Sequence, residues 1–360
     1  YWGDKCSDRY RKRTKTARRS SIQDLIRFQE ELLFHPKQGE KRQDKRERGR
    51  LGIPRALYFY DRLPFWRTYF ETLRFEVVFS CPSHQKLINA GIEATVAEPC
   101  FPVQVAHGHL LDLMEQEVDL IFLPNVVNEE DPSRSVASFI CPWSQTIPLV
   151  AKHTPGLKGI QDRLFCPNIH FREGRAFVEN QLGKEASTLG VRSRENRVAV
   201  GRAYEAQAIL RKSMVEVGER VLAELIDKDE SCVVLLGRPY NLYDPGLNLN
   251  IPAKLRDLYG VNVLPLDFLP LDGVDIRSIH DHMFWNYGRR ILQAAKFTKD
   301  YPNFHIIYIS NFKCGPDSYI RHYVEEASGK PFLFLQLDSH ANDAGVMTRI
   351  EAFLESKGML

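Results

Sequence analysis

Three cysteines stand where a thiol can do chemistry. Glu98-Pro99-Cys100-Phe101-Pro102, Cys141-Pro142-Trp143-Ser144-Gln145 and Lys313-Cys314-Gly315-Pro316 each set a proline within two residues of the sulfur. Proline has no backbone N–H to donate and suits the first turn of a helix, so each motif predicts a thiol at a helix entrance. There the positive end of the dipole and the unpaired N–H groups favour thiolate. A thiolate binds a soft metal or attacks an electrophile. The spacing narrows the choice: no C-x-x-C pair marks a zinc module, and the adjacent cysteine pair of a ferredoxin is absent. The pattern fits a soft metal cluster whose three thiolates come from two lobes, with one metal position open to another ligand. The competing reading is that these cysteines only line loops.

The remaining candidates carry weaker signals. Cys81 in FSCPSHQ and Cys166 in LFCPNIHF also precede proline and are read as loop residues that could enlarge a cluster; Cys232 in SCVVLLG is read as a small buried hydrophobe. His107 and His109 lie within the helix that Cys100 opens, where a side chain could deliver a proton. At this spacing only one of them faces a given point easily. Gly237-Arg238-Pro239-Tyr240-Asn241 offers either a cationic fork for a phosphate or carboxylate or a plain turn, and Asp338 to Gly345 reads as a capping loop. No GxxxxGK[ST] motif occurs, so nothing supports phosphate-driven chemistry within this chain.

The elements that must position these residues begin near Leu51. LGIPRALYF, FWRTYFETLR, FEVVFS, CFPVQVAHGHLLDLMEQE and VDLIFLPNV read as β-α-β-α-β. A second set opens on a long amphipathic helix, RVAVGRAYEAQAILRKSMVEVGERVLAELI. It continues through SCVVLLGRP, LNIPAKLRDLYG, VNVLPLD, the helical IHDHMFWNYGRRILQAAKF, FHIIYIS and PFLFLQLD. Short apolar strands alternating with helices predict an α/β protein of two doubly wound parallel-sheet lobes, Rossmann or flavodoxin-like. The expected division is 1–50 as a basic helical arm and linker, 51–155 as the first lobe, 156–200 as a connection and 201–360 as the second lobe. Ligands in such sheets collect beyond the carboxyl ends of the strands.

Composition sets outer limits. A chain of 360 residues with 43% hydrophobic content can bury a sizeable core. Its longest apolar runs fall short of the roughly 20 residues that span a bilayer, and no signal-peptide pattern is present, which predicts a cytoplasmic protein. Seven cysteines are an odd and scattered set, read as reduced thiols. Net charge is only +3 but is concentrated in the first 50 residues, which include Cys6. This arm lacks the interleaved aromatics of an RNA-binding segment, and SIQDLIRFQEELLF reads as a solvated amphipathic helix, so nucleic acid is not the expected partner. The chain opens on Tyr1-Trp2-Gly3 with no initiator methionine, as a piece of something longer would.

The motifs IPRALYFYDRLPFWRTYF, EPCFPVQVAHGHLLDL, CPWSQTIP, GRPYNLYDPGLNLNIP, NFKCGPDSYIRHY and LDSHANDAGVMTRIEAF together resemble the cysteine-rich portion of the large CoA-substrate-specific enzyme activases. That portion is similar in turn to the subunits of 2-hydroxyacyl-CoA dehydratases and benzoyl-CoA reductases. The resemblance runs from about Leu51 to the end, and CSDRYRKR resembles the segment that precedes it. It implies a [4Fe-4S] cluster on Cys100, Cys141 and Cys314, with an open iron that meets a small substrate such as a CoA thioester; related double-cubane proteins hold a larger cluster. It also implies an ATP-hydrolysing activator of the actin-like, acetate-kinase fold, ordinarily part of the same polypeptide, that delivers a low-potential electron. The expected function is therefore the cluster-bearing component of an ATP-driven reductase or dehydratase. Two alternatives stay open: a non-catalytic electron-transfer or redox-sensing module, and a metal-free α/β lobe with structural cysteines.

Overall fold

A computed structural model describes residues 19–35, 48–131 and 137–360. The chain divides into two compact units, one made of Leu32–Lys212 with His282–Tyr287, the other of Tyr1–Glu31, Ser213–Asp281 and Gly288–Leu360. Cys6 and most of the basic arm lie outside the described residues.

The first unit is built on β1 (Arg50–Ile53), β2 (Glu76–Phe79), β3 (Leu120–Phe122) and β5 (Leu164–Phe165) in the order β2-β1-β3-β5, with every pair parallel. A separate parallel pair joins β4 (Asn125–Asn128) to β6 (Asn168–His170). Pro54 follows the end of β1, and the run LGIPRALYF accordingly splits into a strand and the start of the helix Phe59–Thr72. That helix buries Phe65, Trp66 and Phe70 against Phe122 and Phe171, all five fully enclosed, in a chain of edge-on and tilted ring contacts. Residues 156–200 supply β5, β6 and the helix Arg175–Ala186 to this unit.

Between β2 and β3 stand two helices, Gln85–Ala94 and Phe101–Glu115, of which only the second was expected. They cross at backbone contact. A Cβ on Gly91 would lie 2.3 Å from the Gln104 carbonyl oxygen, and one on Gly108 would lie 2.2 Å from that of Leu87. The glycine between the two histidines of AHGH is thus required by close packing.

The second unit carries β7 (Cys232–Gly237), β8 (Asn262–Pro265), β9 (Phe304–Asn311) and β10 (Leu333–Leu337) in the order β10-β9-β7-β8, again all parallel. Every residue of β7 is buried, as its unbroken apolar run predicts for a central parallel strand. The helix Leu25–Phe34 corrects the solvated-helix expectation. Ile22 and Leu25 are buried, Phe28 packs on Phe268, and Arg256 donates to the Ile22 carbonyl at 2.9 Å. The amphipathic pattern was right, but its apolar face has a partner.

The long helix is continuous over Ser193–Asp227, and the boundary between the units falls inside it. The expected helix over IHDHMFWNYGRRILQAAKF is shorter, Asn286–Phe297. The residues before it are drawn into the first unit, where the Phe139 N–H donates to the Phe284 carbonyl (2.8 Å) and the Asn286 N–H to the Phe139 carbonyl (2.9 Å). A bridge that long-range leaves no local periodicity.

Candidate functional site

Each of the three proline-flanked cysteines is the N-cap of a helix. Cys100 caps Phe101–Glu115, Cys141 caps Pro142–His153 and Cys314 caps Gly315–Ser328, all with extended φ/ψ and with proline in the first two helical positions. Cys141 acts as a sulfur cap: the Ser144 N–H donates to its Sγ at 3.4 Å, and the thiol donates to Ser144 Oγ at 3.2 Å. Cys100 and Cys141 are each 8% exposed, and Cys314 is half-buried. The helices led by Cys100 and Cys141 touch each other within the first unit, whereas Cys314 belongs to the second. Among the described residues, no three His, Cys, Asp or Glu side chains are grouped as a metal-holding set. What the three positions share is donor chemistry: soft sulfur at the positive end of a helix.

Cys100 differs from the other two in following a helix rather than a strand. Its helix nevertheless runs past the carboxyl edge of the sheet. His109 and Asp112 touch Ser80 and Cys81, which directly follow β2, and Cys100 lies nine residues before His109, about 13 Å along the axis.

Cys81, Cys166 and Cys232 are held as protonated thiols. Cys81 donates to Asp112 Oδ1 at 3.0 Å, and burial followed by that hydrogen bond and charge pushes its pKa up to about 11. Burial raises Cys166 to about 11 as well; it lines a cavity of about 420 Å³ with Lys152, Asn125 and Asn168. Cys232 is fully enclosed in β7, and burial drives its pKa up strongly. None of the six cysteines described is paired in a disulfide.

Both candidate histidines are enclosed and neutral. His107 Nδ1 donates to the Val103 carbonyl at 2.8 Å, and burial lowers its pKa. His109 sits between two hydroxyls, Nδ1 at 2.8 Å from Ser80 Oγ and Nε2 at 2.9 Å from Ser83 Oγ, and burial depresses its pKa to about 3. The Arg55 N–H donates to Ser80 Oγ at 2.8 Å, so Ser80 ties the His109 ring to the backbone after β1, while Nε2 faces the half-buried Ser83.

Two further expectations resolve structurally. Arg238 is no open fork: it is 1% exposed and donates from Nε to Asp317 Oδ1 at 2.9 Å. In the acid-rich loop after β10, Asn342 caps the helix Asp343–Ser356 by accepting the Ala344 N–H at 2.8 Å. Asp112, Asp317, Ser80, Ser83 and Ser310 went unmarked in the sequence. Of these, only Asp317 had a readable signal, an acid in the first turn of a helix.

Fold and site define a doubly wound parallel α/β protein with thiols at three helix entrances. Residues 50–269 match the family described as the CoA enzyme activase uncharacterised domain (DUF2229), and the chain belongs to that family. The matched region contains Cys100 and Cys141 and ends before Cys314. No curated protein matches the chain. No helix among the described residues is long and apolar enough to cross a membrane.

Proposed function

We propose that this chain is the iron–sulfur component of an ATP-driven, low-potential electron-transfer system of the 2-hydroxyacyl-CoA dehydratase and benzoyl-CoA reductase type, working in the cytoplasm. Its ligands are Cys100, Cys141 and Cys314. Its partner is an ATP-hydrolysing activator of the actin-like fold, and its substrate is a small molecule such as a CoA thioester. The observation that carries the reading is the repeated N-cap geometry, three thiols each led into a helix by proline. Bound there, a [4Fe-4S] cluster would supply one-electron chemistry, with an iron left open by a three-thiolate set.

The protein's part is to stabilise negative sulfur and to exclude water. First-turn N–H groups and the helix dipoles do the former, and burial of Cys100 and Cys141 does the latter. His109 is the better proton carrier of the two histidines, because its ring joins Ser83 to the buried Ser80, whereas His107 is tied to a carbonyl. A second reading, a non-catalytic electron carrier or redox sensor, draws on the same burial: both imidazoles already have protein partners.

The test is iron and acid-labile sulfide per chain with EPR on anaerobic protein, beside Cys314→Ser. Roughly four irons, with a signal lost or altered in the variant, is the expected result, and roughly eight would indicate the double-cubane form. No iron in either preparation sinks the proposal. Given iron, cyanide separates the readings, since it perturbs the spectrum of a cluster with an open iron and leaves a fully ligated one unchanged; His109→Gln assayed with the activator tests the histidine, whose role unchanged turnover would remove.

A further inference from the structure

The second sheet has a topological switch point between β7 and β9. The chain leaves β7 for β8 on one side and returns to β9 on the other, so the carboxyl ends of β7 and β9 open into one crevice. An ion pair fills that crevice. Arg238, the first residue past β7, sets both Nε and a terminal nitrogen 2.9 Å from Asp317 Oδ1. Ser310, near the end of β9, donates to Asp317 Oδ2 at 2.7 Å. Asp317 and Ser310 are fully enclosed and Arg238 is 1% exposed.

Asp317 is the third residue of the helix that Cys314 caps. The turn before the cap is tight: the Cys314 N–H donates to the Asn311 carbonyl at 3.1 Å, and Lys313 adopts a left-handed φ of +65°, costly for a side-chain-bearing residue. Such a turn persists only if its surroundings over-determine it. The strand fixes one end. The other is fixed where the first helical turn is fastened to the sheet, and the fastening is the Asp317 carboxylate with both oxygens occupied.

We propose that Arg238, Asp317 and Ser310 are positioning residues for the Cys314 thiol: the pair clamps the first turn of its helix to the ends of β7 and β9 and thereby sets where the sulfur points and how far it is exposed. Matched by a buried guanidinium, the Asp317 carboxylate serves as a mechanical anchor for that turn. The importance of the clamp rests on the cluster reading, but its existence does not.

The test uses the full-length, metal-free, reduced chain. Cys314 is alkylated with iodoacetamide at one fixed pH and its peptide is quantified by mass spectrometry, with Cys81 of the first unit as internal reference. Single loss of Asp317 strands a buried cation, so the working variant is Arg238→Met with Asp317→Leu, which replaces the pair by apolar groups of similar size. The expected result is about a tenfold faster Cys314 reaction as the loosened turn exposes the sulfur, with Cys81 unchanged. Ser310→Ala, the milder variant, is expected to raise the Cys314 rate by about twofold. A pair that serves only global stability would lower the melting temperature and leave the ratio of Cys314 to Cys81 rates in place. An unchanged Cys314 rate in Ser310→Ala overturns the proposal even if the double variant misfolds. Iron analysis of wild-type protein is separate: no iron removes the cluster reading and leaves the alkylation result standing, whereas iron with unchanged alkylation removes the clamp alone.

Discussion

The two four-stranded sheets share one strand order and differ in where each buried ion pair is put. In both, the first strand is flanked by the second on one side and the third on the other. In the second unit the pair Arg238–Asp317 closes the switch point itself, one helical turn from a cysteine. In the first unit the corresponding edge is closed by a phenol, Tyr58, whose hydroxyl donates to the Pro124 carbonyl at 2.7 Å. Its buried arginine, Arg62, lies on the Phe171 ring and donates to both Glu129 and Glu130, the latter shared with Arg211. Two carboxylates, Glu129 and Glu130, hold Arg62, whereas Asp317 holds Arg238 with one oxygen and Ser310 with the other. Equal topology therefore does not imply equal tolerance, and the clamp is the less forgiving arrangement.

The largest expected effect tests that asymmetry. Asp317→Asn removes the carboxylate charge that faces the buried Arg238 and is expected to cost about 3–5 kcal/mol in denaturant unfolding, whereas Glu129→Gln leaves Glu130 in place and costs about half as much. Equal costs would erase the distinction. Next come the close helix approaches. A Cβ on Gly218 in the second unit would sit 1.7 Å from the Phe268 carbonyl oxygen, compared with 2.2 Å for Gly108 against Leu87 in the first. Gly218→Ala is therefore expected to destabilise by about 3 kcal/mol or more and Gly108→Ala by about 1–3 kcal/mol, read as shifts in denaturation midpoint.

The effect that is smallest near neutral pH is the response to acid. His109 has its pKa depressed by burial from 6.5 to about 3. The unfolded chain therefore takes up a proton below about pH 6.5 that the folded chain refuses until about pH 3. The stability His109 confers is complete above the first value and declines as pH falls toward the second, by about 2 kcal/mol at pH 5. In the second unit His305 is lowered to about 4, by burial first and then by Lys357 and Lys330, so its loss ends sooner on acidification. His109→Asn should flatten the pH dependence of first-unit unfolding, and an unchanged slope would mean that its imidazole is not held neutral by the fold.

What could be read in advance follows the range of the interaction. Proline beside Cys100, Cys141 and Cys314 marked three helix entrances because capping is local, and all three stand at N-caps, whereas Cys81 and Cys166, each followed directly by proline, cap no helix. The apolar runs of β7 and β9 likewise declared central parallel strands. The helix Gln85–Ala94 was missed because its sequence, QKLINAGIEA, is short and carries Gly91, which weakens a helix signal while serving the contact with the helix beside it. Arg238 looked like a ligand fork because its partner lies 79 residues away, a distance no motif encodes. Burial of His107 and His109 was equally hidden: the positions were right for a helix, but the hydroxyls that enclose His109 come from the loop after β2.

The bridge between Phe139 and the 284–286 segment bears on the order in which this protein can be made. The first unit is not contiguous: it needs His282–Tyr287, which follow most of the strand-bearing sequence of β7 and β8. A ribosome that has reached Lys212 must add the residues up to Tyr287 before Phe139 can find its partners, roughly 4–15 s at ordinary elongation rates. Through that interval the nascent first unit waits with an edge incomplete, and a fragment ending at Lys212 would wait indefinitely.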